Sequence, residues 1–251
     1  MSIAGYDQVM LRAVLFDFNG VLVDDEPLHW EMIQRVLGEE GIPFAEEEYH
    51  RRYLGLNDRA CFTAILEAAG QDAGLGAVMR LTTRKASYYQ AAIRRDGYPF
   101  FPGAAELVRG CHEAGWMLGV VSGALHEEVE GALAQEGIRN LFKVLITAED
   151  VGRGKPDPEG YLLGLEHFNA QPPLPDRLVH PHEVLAIEDS PPGLAAAVAA
   201  GVTPLAVAHT YSAEVLAEML KEVLAGVPGG ALAVVPALAG LTWERLQEMS
   251  R

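Results

Sequence analysis

The hydrophobic pattern changes period along the chain. Val14-Leu15-Phe16 is a short apolar run that ends in Asp17-Phe18-Asn19-Gly20, where a buried strand must surface into a turn. If the chain stays extended there, Asp17 and Asn19 point to the same side. Asp24-Asp25-Glu26-Pro27 then starts a helix, with acids in the first turn and proline just inside. Leu28, Met32, Val36 and Leu37 follow on one helical face, and Gly41 stops it. From there to about Asp96 the periodicity stays helical: Cys61, Ile65 and Leu66 mark one helix, and Val78, Leu81 and Lys85 lie along another. Residues 97–103, rich in proline and glycine, form a return segment.

Beyond that segment strands and helices alternate. The pattern predicts a helix over 104–114, a strand over 116–121, a helix over 125–136, a strand near 144–147 and a helix over 159–168. A proline-rich loop (169–182) leads to a strand over 184–187, an alanine-rich helix over 193–200, a strand over 204–208 and a weak one over 232–235. Such alternation predicts an α/β fold, a doubly wound parallel sheet covered on both faces. The all-helical block between the first two strands is an insertion. The expected division is a Rossmann-like core of residues 1–25 and 98–251 and a helical cap of residues 26–97.

Composition narrows the function. The 251 residues carry a formal net charge of −16, which argues against nucleic acid and anionic membranes as partners. An anionic substrate must therefore be held by a local cation or metal, against the global field. Two cysteines, Cys61 and Cys111, are too few for a disulfide framework or a cysteine zinc site and read as small buried hydrophobes. No basic segment followed by a long apolar run opens the chain. The uncharged stretch 223–241 is broken by Pro228, Gly229, Gly230, Pro236 and Gly240, which removes it as a membrane helix. The expectation is a cytoplasmic protein, monomeric by default.

Polar residues gather at the strand ends, which a parallel sheet brings to one edge. They are Asp17 and Asn19, Ser122-Gly123, the Gly154-Lys155-Pro156-Asp157-Pro158 segment, and Glu188-Asp189-Ser190. Together they offer a carboxylate nucleophile, a hydroxyl beside a glycine, an ammonium and an acidic pair. Hard oxygen ligands suit Mg²⁺. A carboxylate beside a metal and a cation suits attack on phosphorus.

Asp-Phe-Asn-Gly-Val at 17–21, Val-Val-Ser-Gly at 120–123, Gly-Lys-Pro-Asp-Pro at 154–158 and Ile-Glu-Asp-Ser at 187–190 resemble the motifs of the haloacid dehalogenase (HAD) superfamily. Their order and spacing are similar to the helical-cap branch, near its β-phosphoglucomutase-like and sugar-phosphatase-like members. The resemblance implies a Mg²⁺-dependent phosphohydrolase of a small phosphorylated, sugar-phosphate-like metabolite. Asp17 would be the nucleophile and form an aspartyl-phosphate. Ser122 and the Gly123 backbone would bind the phosphoryl oxygens, and Lys155 would neutralise both nucleophile and phosphate. Asp17, the carbonyl of Asn19, Glu188 and Asp189 would hold the metal. In the cap, His29 and Arg59 would serve the substrate, and the cap would close over the site.

Asn19 departs from the family pattern, which has aspartate there as acid and base. General acid–base catalysis contributes ~10²–10⁴-fold, so an amide at this position should slow turnover. Three readings stay open: slow hydrolysis of alkyl phosphates, a substitute acid among Asp25, Glu26 and His29, or a leaving group that needs no proton. A β-phosphoglucomutase-like phosphotransferase and a catalytically weakened phosphometabolite-binding protein are the alternative functions. The first is disfavoured because a mutase transfers protons twice and because Asp58 does not resemble a second phosphate clamp. A dehalogenase is disfavoured by the metal-binding acidic pair.

Overall fold

The computed structural model describes residues 10–54, 56–223 and 233–250. Its chain divides into two compact units, Met1–Asp24 with Pro99–Arg251, and Asp25–Tyr98.

In the first unit the sheet is built on strand β1 (Ala13–Phe16), whose residues are all buried. Apolar side chains on both faces are what a central parallel strand requires. The other strands are β2 (Met117–Val121), β3 (Phe142–Ile146), β4 (Val184–Glu188), β5 (Thr203–Val207) and β6 (Ala233–Val235). All pair in parallel in the order β3-β2-β1-β4-β5-β6. Phe16 lies opposite both Val120 and Ile187, so Asp17 and Glu188 leave the sheet at the same level on adjacent strands.

Helices α5 (Ala104–Glu113), α6 (His126–Gln135), α7 (Glu159–Ala170), α8 (Pro191–Ala199), α9 (Ala213–Val223) and α10 (Trp243–Met249) complete this unit. One core cluster joins Ala13, Leu15, Val121, Ile146 and Ala186 to Tyr161, Phe168, Ala196 and Ala197. The alanines of α8 thus serve close helix–sheet packing, as their density in the sequence suggests.

The second unit holds helices α1 (Glu26–Glu39), α2 (Glu46–Arg52), α3 (Asp58–Ala68) and α4 (Leu75–Asp96). They close around Ile33, Val36, Leu37, Tyr49, Cys61, Phe62, Ile65 and Leu81. Asn57 caps α3 by accepting the Ala60 N–H at 2.9 Å.

Several sequence expectations are corrected. The chain does not stay extended past Asp17: the N–H groups of Leu22 and Val23 both turn back to the Phe18 carbonyl. Strand β3 begins two residues before the expected Val144, because Phe142 pairs with Leu118. Helix α8 begins at Pro191, not Gly193, since prolines in a first helical turn need no amide donors. Helices α9 and α10 were not among the expected elements. The α9 face of Leu216 and Leu220 packs on Leu194 and Ala206. The turn expected at Pro228-Gly229-Gly230 lies outside the described residues. Both cysteines are free and buried, and burial pushes each thiol up to about 12. Among the described residues no helix is long and apolar enough to cross a membrane.

Candidate active site

The carboxyl edge of β1, β4 and the loop before α7 forms one charged cluster. Asp17 continues the ladder, its N–H donating to the Ile187 carbonyl at 2.9 Å. Its Oδ1 accepts the Phe18 N–H at 2.7 Å and lies 2.8 Å from the Lys155 ammonium. Lys155 also lies 2.7 Å from Glu188 Oε1. Both Lys155 contacts are charge pairs rather than aligned hydrogen bonds. Glu159, the first residue of α7, fixes the loop that carries the lysine by accepting the N–H groups of Gly152 and Arg153 at 2.9 and 3.0 Å.

Glu188 is fully buried. Tyr161, reaching in from α7, donates its hydroxyl to Glu188 Oε1. The first turn of α8 lies against the other oxygen: a Cβ on Gly193 would sit 1.9 Å from Glu188 Oε2. Only glycine allows that approach. Asp189 accepts the Thr210 hydroxyl at Oδ2.

One ammonium thus faces three carboxylates. Burial, reinforced by the charge of Asp17, raises the carboxyls of both Glu188 and Asp189 well above the ordinary range. For Lys155, burial alone would lower its pKa, but Asp17 and Glu188 outweigh it and hold it above the usual lysine value. Burial, with Glu188 beside it, pushes the Tyr161 phenol far up as well. Asp17, Glu188 and Asp189 each offer an oxygen, and these atoms lie within 4.8 Å of one another. A buried set of hard oxygen donors with excess negative charge fits a divalent cation such as Mg²⁺.

Ser122 follows β2, where its N–H donates to the Ile146 carbonyl at 2.9 Å. Its Oγ accepts the Ala124 N–H at 3.0 Å, which leaves its own proton for another acceptor. Gly123 is exposed, and a Cβ there would meet open space. Asn19 lies half-buried in the turn after Asp17 and bridges Val23 through the backbone.

The structure therefore brings Asp17, Lys155, Glu188 and Asp189 together, with Ser122, Gly123 and Asn19 on the strand ends and turns of the same unit. His29 and Arg59 belong to the other unit. Arg59 is exposed at the start of α3. His29 sits in a partly buried polar chain. Lys85, 2% exposed, donates to Asp58 at 2.8 and 3.0 Å and contacts His29 Nδ1. That contact makes Nδ1 the acceptor, so Nε2–H donates to Asp25 at 3.1 Å. Tyr89 donates to the same carboxylate at 2.7 Å. Glu26 accepts the Tyr49 hydroxyl. Asp25, Glu26 and His29, the candidate substitutes for Asn19, thus each make a side-chain hydrogen bond within their own unit.

Tyr161, His209 and Thr210 escaped the sequence reading. Tyr161 looks like one more apolar helix residue. His209 and Thr210 follow β5, and the strand-end rule that singled out the other residues could have found them.

A family model described as haloacid dehalogenase-like hydrolase matches residues 11–201. Validoxylamine A 7'-phosphate phosphatase of Streptomyces hygroscopicus subsp. limoneus is 33% identical over 83% of this chain and 91% of its own length. The phosphorylated carbohydrates phosphatase of Thermotoga maritima is 31% identical over 76% of this chain and 82% of its own. Among solved structures, β-phosphoglucomutase from Clostridium difficile shares the fold with a TM-score of 0.72, at 22% identity over 96% of this chain and 97% of its own.

Proposed function

The chain belongs to the haloacid dehalogenase-like hydrolases and is a phosphatase, and from that premise we propose that it hydrolyses a small sugar-like phosphomonoester with Mg²⁺, through a phosphorylated Asp17. The observation that carries the reading is the buried cluster of Asp17, Lys155, Glu188 and Asp189 at the carboxyl edge of the sheet. The carbohydrate-phosphate names of the relatives support the substrate class.

The residues divide the chemistry. Asp17 Oδ1 is held by the Phe18 N–H and Lys155, which leaves Oδ2 to attack phosphorus. A bond forms from Oδ2 to phosphorus as the bond from phosphorus to the leaving oxygen breaks. Ser122 donates to a phosphoryl oxygen, and the open space at Gly123 admits the group to the backbone. Lys155 balances the charge that gathers on these oxygens. Asp17, Glu188, Asp189 and the carbonyl of Asn19 would hold Mg²⁺, which supplies further charge compensation when bound. Water then attacks phosphorus and breaks its bond to Asp17, releasing inorganic phosphate and the free carboxylate. Asn19 hydrogen-bonds but carries no transferable proton, so the leaving oxygen takes its proton from solvent. That slows alkyl phosphates and disfavours a mutase, which needs the transfer in both directions.

A screen of phosphorylated sugars and polyols with and without MgCl₂ tests this reading through release of inorganic phosphate. Mg²⁺-dependent release that Asp17→Asn abolishes is expected. Release that survives Asp17→Asn moves the nucleophile elsewhere. Isomerisation of glucose 1-phosphate without phosphate release makes the chain a mutase instead.

A further inference from the structure

The dipeptide after β5 joins two loops that the sheet keeps apart. The strand order β1-β4-β5 separates β5 from β1 by a whole strand. His209 nonetheless reaches the turn after β1: its Nδ1 lies 2.9 Å from the Gly20 carbonyl. A carbonyl only accepts, so Nδ1 carries the proton. The ring is fixed from the side as well, stacked on Phe101 at 3.8 Å between centroids and 17° between planes. The Phe101 N–H is bound at 3.0 Å to the carbonyl of Leu22, in the same turn. The next residue, Thr210, donates its hydroxyl to Asp189 Oδ2 at the end of β4.

Gly20 is where the two grips meet. Its φ is +75°, its N–H donates to Val23 at 2.9 Å, and its carbonyl goes to His209. A Cβ on it would lie 2.0 Å from Asp189 Oδ2 and 2.8 Å from Thr210 Oγ1. The turn is therefore pressed edge-on against the carboxylate, with both peptide groups of Gly20 tied. One of those peptide groups carries the carbonyl of Asn19.

We propose that His209 and Thr210 are positioning residues that hold the turn after Asp17 against Asp189, so that the Asn19 carbonyl and the Asp189 carboxylate address one divalent cation. This rests on the metal reading given above. The two side chains act through Gly20 and Asp189 and do not touch the cation themselves. Outer partners that orient ligands in this way typically change metal affinity by about 10–100-fold when removed.

Titration calorimetry of chelator-stripped protein with MgCl₂ tests the assignment, alongside thermal melting of the metal-free form. Thr210→Val removes the hydroxyl at nearly constant volume, and His209→Phe keeps the stack on Phe101 without the N–H donor. Each should weaken Mg²⁺ binding by about 10-fold or more while metal-free melting stays close to wild type. Thr210→Ser should restore the affinity, because it restores the donor. Wild-type Mg²⁺ affinity in both variants overturns the proposal. So does a loss of affinity that Thr210→Ser fails to restore and that follows a fall in metal-free melting, since a merely structural role produces that pairing. If either variant fails to fold, Thr210→Ser and His209→Asn, which keep a donor, are compared with wild type, and affinity below wild type by more than about 10-fold there also overturns it. If wild type itself binds no Mg²⁺ while Asp17→Asn still abolishes turnover, the metal reading falls, and this inference with it.

Discussion

Asn19→Asp isolates proton transfer from everything else the site does. The backbone carries the turn at this position: Gly20 donates to Val23 at 2.9 Å, and Leu22 and Val23 donate to Phe18 at 2.8 and 3.0 Å. Exchanging an amide nitrogen for an oxygen of nearly equal size leaves those bonds in place. The new carboxyl sits two residues after Asp17, in the unit that already gathers Asp17, Glu188 and Asp189 around one ammonium. Added like charge raises its pKa and favours the protonated form that a general acid needs. A group of this kind contributes ~10²–10⁴-fold, or about 3–5 kcal/mol of barrier. Turnover of sugar phosphates, whose alkoxide leaves poorly, should rise by that factor. Turnover of p-nitrophenyl phosphate and acetyl phosphate should rise far less, because their leaving groups depart without much protonation. Initial rates on both classes, at saturating Mg²⁺, give the contrast. An equal change on both classes would refute the reasoning, since altered folding or metal affinity moves all substrates together.

Removing the ammonium in Lys155→Met leaves Glu188 and Asp17 without their counter-charge; breaking a buried pair of this kind costs about 3–5 kcal/mol, so metal-free melting should fall and added Mg²⁺ should recover part of the loss. Melting unchanged without metal would show that the pairs contribute nothing. Gly193→Ala places a Cβ 1.9 Å from a Glu188 oxygen and should destabilise by about 1–3 kcal/mol in denaturant titration, whereas Gly76→Ala, which meets open space, should be neutral or stabilising. Equal midpoints for the two would remove the close approach from the argument. Glu183, whose carboxyl is held down to about 2 chiefly by the Arg177 guanidinium, contributes stability that is present above its unfolded value near 4.5 and lost as pH falls through about 2. Glu183→Gln should therefore flatten the melting temperature against pH between those values, and an unchanged acid limb would refute the assignment.

The strand ends were legible because parallel β structure announces itself twice, as an apolar run and as the polar residue that stops it. Asp17, Ser122 and Glu188-Asp189 are all of this kind. Lys155 was legible as a cation in a proline-rich loop, though Glu159, which fixes that loop, was not. What escaped depends on side chains that act at a distance from their own strand. Tyr161 is apolar by helical period, and only the fold shows its hydroxyl against Glu188. Lys85 fell on the apolar face with Val78 and Leu81, a position that reads as a contradiction until Asp58 and His29 supply its partners. Helix α9 has a clear apolar face and a start signal in Ser212, whose hydroxyl accepts the Val215 N–H at 3.4 Å, and the sequence reading passed over both. The extended continuation beyond Asp17 failed because the carbonyl of Phe18 gathers the next N–H groups into a turn.

The chain leaves and re-enters the sheet unit through a small paired ribbon: Val23 bridges Phe100 in antiparallel fashion, and the Asp24 N–H donates to the Pro99 carbonyl at 2.7 Å. This ribbon bears on the order of folding. Strand β1 must find β2 across the whole insertion, and an unstructured insertion makes that a long loop to close. Each doubling of loop length costs only about 0.6 kcal/mol of equilibrium stability. Rates suffer more, because contacts distant in sequence slow the search. Helices that fold early and bring residues 24 and 99 together would shorten that search to a hairpin's length. Mutations in the cap helices would then appear as slower assembly of the sheet, even where the final stability of that sheet is unchanged.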